Sequence, residues 1–571
     1  MKRLFLAIIV FFISIQLFAD ANQTLYDKDD DEYRHAVVLC VSAGVTGPSS
    51  ATPITGEELK IALDRIDKNV LPERLKALFE ETYEKVVGNE NTFTYDFEVD
   101  LTPQIFLTTD WQGNEGIIED RRDFFLSYSD ERPFLDLGVR LNFGNNVFIE
   151  GYLPLISGSA YKGMNLTSLD WLFNYRDNSW HFLWHGGPDL LSEIPTLARG
   201  SFGNKWINLI IGRTPHSMGS GYTGNFIISD IFQYQEVLAL SINSNYFSYD
   251  LSLTHFDKQT GLETFEKEMF GGEHQNRVVH RFDINILDKA RIILNFGATY
   301  YTDSAFDFRF FTPFMIAHNY YNSASDTVLE NNVFDESNNI GSIEIEWNIM
   351  PKLQVSLQVV MDQFQLFYED ESALPNAFGT MANISWTELF NNATVTFWLE
   401  GVYTSPYLYL NEKYNKVKIG TDQDTGEDIF DLIPNYNYDW IVGYYRPGSR
   451  SPEINFSGHP FGPDTIAVAF GANYEDYDRN IWFKGSFLYR VHGIKGITNP
   501  TFDDDFQSAS TPYGTAEHII QVQGHAGWDI IKDTLELFGG VSFAYHVNYK
   551  NTQDRNVFIP QTYFGITYSI I

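Results

Sequence analysis

Phe93-Thr-Tyr-Asp-Phe-Glu-Val-Asp-Leu101 carries apolar side chains at Phe93, Tyr95, Phe97, Val99 and Leu101 and polar ones at Thr94, Asp96, Glu98 and Asp100. Successive side chains of a β-strand point to opposite faces, so this stretch reads as a strand with one apolar and one polar face. The same alternation returns at Ile343, Ile345, Trp347 and Ile349 against Glu344, Glu346 and Asn348, and at Leu353, Val355, Leu357, Val359 and Met361 against Gln354, Ser356 and Gln358. Near the end, Leu535, Leu537, Val541, Phe543, Tyr545, Val547 and Tyr549 alternate with Glu536, Ser542, His546, Asn548 and Lys550, a span longer than an ordinary globular strand. Strands of this kind suit a membrane-spanning barrel with an apolar outside and a polar inside.

Outward from that pattern, the chain opens with Lys2 and Arg3, then runs apolar from Leu4 to Phe18 and reaches Ala19 before Asp20. This predicts a signal peptide over residues 1–19, removed near Ala19. Beyond it, no stretch reaches the roughly eighteen apolar residues of a helical span, although 44% of the chain is hydrophobic and 16% aromatic. Membrane residence must therefore use strands, which satisfy their backbone groups only by closing on themselves. The formal charge of −36, which grows more negative when Lys2 and Arg3 leave with the signal, repels nucleic acid and argues against such a partner. The single cysteine, Cys40, forms no intrachain disulfide.

Residues 20–90 follow a different rhythm. Thr55 with Glu58 three residues on reads as a capping box, and Ile54 facing Leu59 as a hydrophobic staple. Leu59, Ala62, Leu63 and Ile66 share a helical face; after Pro72, so do Leu75, Leu78, Phe79, Thr82 and Val86. The expectation is a periplasmic N-terminal segment holding a helical hairpin joined near Leu71, and a barrel over 91–571. Turn-like links at 144–146, 204–205, 244–245, 288–289, 350–352, 391–392, 478–480 and 532–533 alternate with long polar ones near 256–277, 302–338, 404–463 and 491–516. Short turns on one side and long loops on the other belong to an outer-membrane barrel, here antiparallel, with about eighteen to twenty strands and both ends on the short-turn side. Gly565, Tyr568 and Ile570 fit the spaced C-terminal signal of such barrels.

The arrangement resembles the Wzi family of capsule assembly proteins. The resemblance rests on Thr55-Gly-Glu-Glu-Leu-Lys-Ile-Ala-Leu63; on Ile210-Ile-Gly-Arg-Thr-Pro-His-Ser-Met-Gly-Ser-Gly-Tyr222 followed by Ile228-Ser-Asp230; on His280-Arg-Phe282; on Ser337-Asn-Asn-Ile340 leading to Met361-Asp362; and on His459-Pro-Phe-Gly-Pro-Asp464. It implies an outer-membrane barrel with a small periplasmic helical bundle and a lectin-like role in attaching or organising capsular polysaccharide.

Catalytic chemistry is not evident. Asp422, Asp424, Gly426 and Asp428 are spaced like a calcium loop but lack its far-end glutamate, and with Asp503, Asp504 and Asp505 they read as solvated acidic loops. His216, His459, His525 and His546 are scattered, so no metal or cofactor is expected. Ser217 beside His216 does not by itself make a nucleophile and base, because strand neighbours face opposite ways. Sugar binding has more support. Trp171, Trp180, Trp184, Tyr444, Tyr445 and Arg446, and Arg213 with Tyr222, supply flat rings and planar donors that suit sugar faces and anionic groups. The same aromatics also suit the interfacial girdles of a barrel. The expected function is a non-enzymatic outer-membrane protein that binds surface polysaccharide, with outer-membrane lipid around it and a periplasmic protein partner at the hairpin. Arg213, Tyr222, Tyr444, Tyr445 and Arg446 are its candidate contacts. The alternative is a porin or substrate-selective channel. Glu344, Glu346, Gln354, Gln358, Glu536 and His546 point inward in this register, compatible with a pore or a plug, and an arginine at Gln358 would be expected to be tolerated among lumen polar groups.

Overall fold

The computed structural model describes residues 22–87, 93–108, 132–157, 197–230, 234–256, 274–302, 337–363, 376–390, 393–421, 428–438, 440–445, 452–496 and 509–570, with short pieces between them. Within these residues the alternating stretches pair antiparallel into one closed barrel of eighteen strands. In chain order, β1 is Phe93–Leu101 continued by Gln104–Thr108, β2 Leu135–Phe143, β3 Val147–Ser157, β4 Leu190–Ser192 continued by Ala198–Gly203, β5 Ile207–Thr214 and β6 Gln235–Asn243. Then follow β7 Phe247–Phe256, β8 His274–Ile286, β9 Ala290–Thr302, β10 Ser337–Met350, β11 Leu353–Gln363 and β12 Ala377–Phe390. The wall ends with β13 Ala393–Thr404, β14 Thr465–Asp476, β15 Ile481–His492, β16 Glu517–Ile531, β17 Leu535–Val547 and β18 Val557–Ile570. Pro103 cannot donate to the ladder and interrupts β1, so β18 closes on both halves, Tyr568 opposite Leu101 and Gln561 opposite Thr108.

The register follows the alternation. Phe93, Tyr95 and Phe97 are exposed on the outer face, as are Ile343, Ile345, Trp347 and Leu357, while Glu344, Glu346, Gln358 and His546 are buried within. A water-free lipid core makes this the only stable sense for such strands. Gly565 has a local reason too: a side chain there would meet the Phe538 ring at 2.2 Å.

The N-terminal segment forms α1 (Asp31–Ala43), α2 (Gly56–Leu63) and α3 (Glu73–Val87), three helices where the hairpin reading expected two. The extra helix had readable signals, acidic residues in its first turn and Gly44 at φ 75° closing it. The capping box is present: Glu58 N–H donates to Thr55 Oγ1 at 3.3 Å and Thr55 N–H to Glu58 Oε2 at 2.7 Å. The three helices share one core of Tyr33, Ala36, Leu39, Cys40, Leu59, Leu63, Leu75, Phe79 and Val86.

This bundle caps the short-turn mouth. Lys352 N–H donates to Val41 O at 2.8 Å, Arg74 pairs with Asp478 at 2.6 Å, Arg34 with Glu475 at 3.0 Å and Lys532 with Glu81 at 3.1 Å. Cys40 is fully buried, and burial pushes its thiol up to about 11. A maleimide therefore leaves the folded protein unlabelled and reacts once urea opens the bundle; rapid labelling of the folded form would show that these helices do not pack as described.

The chain between α1 and α2 does not stay beneath the barrel. Thr46 N–H meets Asp288 O at 2.8 Å at the rim, and Ser50 reaches Glu346 at 2.9 Å inside. There Ala51 and Thr52 pair as a short strand with Met218 and Ser217.

Candidate functional site

The glycine-rich stretch after β5 supplies the partner of that inserted strand. Beyond Thr214 the chain turns into the lumen. His216 Nδ1 meets Thr52 O and Nε2 meets Ser252 Oγ, each at 2.8 Å, while Ser217 Oγ accepts from Asn225 Nδ2 at 3.2 Å. His216 and Ser217 thus serve different partners and form no nucleophile–base pair. Gly219 (φ 132°) and Gly224 (φ 141°) hold backbone conformations that side chains rarely adopt, and a Cβ at Gly219 would lie 2.3 Å from Asn225 and Gln358.

Glu400 on β13 pins this loop to the wall. It accepts the Tyr222 and Thr223 N–H groups at 2.8 Å each and the Asn383 amide at 3.4 Å, hydrogen bonds that offset the cost of burying a carboxylate. The Tyr222 ring then lies flat on Trp398, centroids 4.6 Å apart and 3° from parallel. Lys28 Nζ donates to Gly221 O at 3.1 Å from the other side.

Two further layers fill the barrel. Arg281 meets Asp283 at 2.8 Å, Glu344 at 3.8 Å and Ser50 at 2.8 Å, and Arg291 meets Glu346 at 2.5 Å and Asp283 at 3.7 Å. Above them an apolar seal joins Met218, Phe226, Ile228, Tyr407, Tyr409, Trp440, Phe456 and Phe461 to Val279, Val360, Met381 and Val402 of the wall. The His459–Asp464 motif closes this seal. His459 N–H donates to Tyr409 Oη at 2.9 Å, and Asp464 accepts the Tyr513 and Lys495 N–H groups at 2.9 and 3.2 Å. Burial outweighs those two donors and raises the Asp464 carboxyl to about 7.

No protein-family model matches the chain, and no curated protein does. Among solved structures, Wzi from Escherichia coli, an outer membrane protein involved in group 1 capsule assembly and described as a carbohydrate binding β-barrel, aligns with a TM-score of 0.55 at 13% identity, covering 96% of this chain and 99% of its own. This chain has the fold of Wzi. OccK3 from Pseudomonas aeruginosa aligns with a TM-score of 0.39 at 10% identity over 83% of this chain and 95% of its own. OccAB3 from Acinetobacter baumannii aligns with a TM-score of 0.38 at 8% identity over 83% and 99%.

On this Wzi fold the candidate residues fall apart into separate places. Arg213 sits at the long-loop end of β5, its guanidinium paired with Glu236, donating to Pro195 O at 3.0 Å and lying 4.4 Å over the Tyr234 ring. Tyr222 is inside, against β13. Tyr444 and Tyr445 belong to a short strand, Ile441–Tyr445, that pairs with Pro452–Phe456 in a small sheet separate from the barrel. Arg446, Trp171, Trp184, Asp422, Asp424 and Asp503–Asp505 lie outside the described residues, and Trp180 is in a short strand, Trp180–His181. Sequence reading missed the seal and the insertion of residues 46–55, because neither has a periodic signature. The inward charges of Arg281 and Arg291 were available to the alternation, which could have singled them out as cations on an otherwise acidic face.

Proposed function

We propose that this is a non-enzymatic outer-membrane protein that binds and organises surface polysaccharide. On this reading its signal is cleaved near Ala19, its helices lie in the periplasm and its long loops face outward. The observation that carries the reading is the filling of the lumen by the chain's own segments, residues 46–55 from the short-turn side meeting 215–230 from the other as paired strands. A channel must leave a path for its solute, whereas a binding protein needs only the wall and its loops. The likeness in fold to a carbohydrate-binding barrel supports the same side. Arg213, Tyr222, Tyr444, Tyr445 and Arg446 are the proposed glycan contacts, and the helical bundle the proposed site for a periplasmic partner.

The test combines two measurements on the full chain. Purified protein is expected to bind the host's own surface polysaccharide and to give no stable conductance in a planar bilayer, and a deletion strain to make glycan but release more of it into the medium. Stable conductance with no glycan binding, and loss of solute uptake with normal glycan retention in the deletion strain, would replace this reading by a porin.

A further inference from the structure

At the long-loop end of the barrel, residues 548–556 join β17 to β18, opposite the short turn at 532–533. Four of them hold left-handed backbone: Asn548 (φ 58°), Lys550 (φ 53°), Asn551 (φ 55°) and Asp554 (φ 63°). Asparagine and aspartate tolerate that region, whereas a lysine keeps it only when its surroundings hold it there. The surroundings do so. Asn551 Nδ2 donates to His492 O and Gly493 O at 3.1 Å each and to Thr515 O at 2.9 Å, and Asn548 Nδ2 donates to Ala516 O at 3.0 Å, which ties the loop to both ends of the connection between β15 and β16. Within the loop, Tyr549 N–H donates to Arg555 O at 2.7 Å and Asp554 N–H to Asn548 Oδ1 at 3.0 Å. The Tyr549 ring is buried on Ala544, Val557 and Ile559, residues of the inner face, and stands perpendicular to His546 with centroids 5.1 Å apart.

Lys550 and Arg555 are exposed and lie over that one ring, Lys550 Nζ at 5.8 Å and the Arg555 guanidinium carbon at 4.9 Å from its centre. Neither side chain forms an ion pair or a hydrogen bond among the described residues. Glu517 on β16 is held by His546 at 2.9 Å, and Asp554 of the same loop pairs with neither cation. A chain of formal charge −36 thus brings two cations onto one ring, where they repel each other with no carboxylate between them. We propose that Lys550 and Arg555 bind an acidic sugar residue of the surface polysaccharide, an inference that rests on the polysaccharide reading and names both the charge of the glycan and a place where it is held. The guanidinium fork takes a carboxylate through two parallel hydrogen bonds, and the ammonium adds a point charge. Because the loop is already fixed, little ordering remains to be paid on binding. The seat of Tyr549 on inner-face residues sets the pair over the lumen side of the wall, at the end away from the helical bundle, so a glycan on the long-loop side reaches it without passing the seal. A lipid headgroup would instead lie beside the outward Tyr545 and Phe558.

The experiment measures binding of the host's surface polysaccharide to the full-length, detergent-solubilised protein by calorimetry, with the polymer as isolated and with its carboxylic acids reduced to alcohols. Heat-modifiable gel mobility confirms that each protein is folded. The double variant Lys550→Gln, Arg555→Gln is expected to bind the native polymer about ten-fold more weakly. The wild type loses a similar factor on the reduced polymer, a comparison that needs no variant, and on that polymer the double variant matches it. Wild-type affinity of the folded double variant for the native polymer, or equal affinity of the wild type for the two polymers, would overturn this site while leaving the polysaccharide reading intact. A double variant that loses affinity only for vesicles containing lipopolysaccharide would make the pair a lipid contact and overturn it as well. A wild-type protein that binds neither polymer would overturn both.

Discussion

Arg281→Met is expected to destabilise the folded barrel by about 3 to 5 kcal/mol, because it leaves Glu344 buried without the cation that faces it and Asp283 with Arg291 alone, at 3.7 Å. Arg281 is entirely inaccessible, and its guanidinium also ties Ser50 of the inserted segment to β8. The loss therefore reaches the plug as well as the wall. Urea titration in lipid vesicles, followed by gel mobility without boiling, measures the change. A variant within about 0.5 kcal/mol of the parent would show that this layer is hydrated rather than buried, since exposed ion pairs contribute only that much.

The second large effect lies on the opposite face. Leu357→Arg puts a cation on the lipid side of β11 near its middle and is expected to cost about 2 to 4 kcal/mol. The neighbouring Gln358, which the alternation alone marks as a tolerant lumen position, is not tolerant. It is 2% exposed, its amide bridges Asn225 at 3.3 Å and the Phe226 N–H at 3.4 Å, and an arginine there displaces the inward loop. Gln358→Arg is thus expected to fold poorly as well, for want of space rather than for contact with lipid. Asn473→Arg, at an inward position that is only half-buried, is the lumen control expected to keep wild-type stability. If Leu357→Arg refolds in lipid as readily as Asn473→Arg, the outward register of β11 is wrong.

Much of the wall was legible because a barrel strand writes its fold into adjacent residues. Phe93 to Leu101 declares both of its faces within nine positions, and the short turns at 144–146 and 478–480 mark where the strands reverse. Helices α2 and α3 were legible for the same reason: Thr55 and Glu58 bond each other three residues apart, and Leu75, Leu78, Phe79, Thr82 and Val86 are the buried stripe of α3. Helix α1 was missed although Gly44 marks its end, and the candidate glycan residues Arg213 and Tyr222 looked like one set because nine residues separate them, whereas the fold puts one at the rim beside Glu236 and the other inside on Trp398.

The sequence by itself therefore determined the strand rhythm, the inward or outward sense of each side chain, the helical caps and the unequal loops, all of which arise from interactions between residues a few positions apart. Only the tertiary structure decided that the barrel is filled. Thr52 meets Ser217, Ser50 meets Arg281 and Glu346, and Tyr222 meets Trp398 and Glu400 across well over a hundred residues of chain, and no local period records such pairings. Polar inward residues look alike whether they face water or a plug. What separates Gln358, locked under the loop, from Ser486 and Gln523, half-buried on the same inner wall, is the path of a distant segment through the lumen.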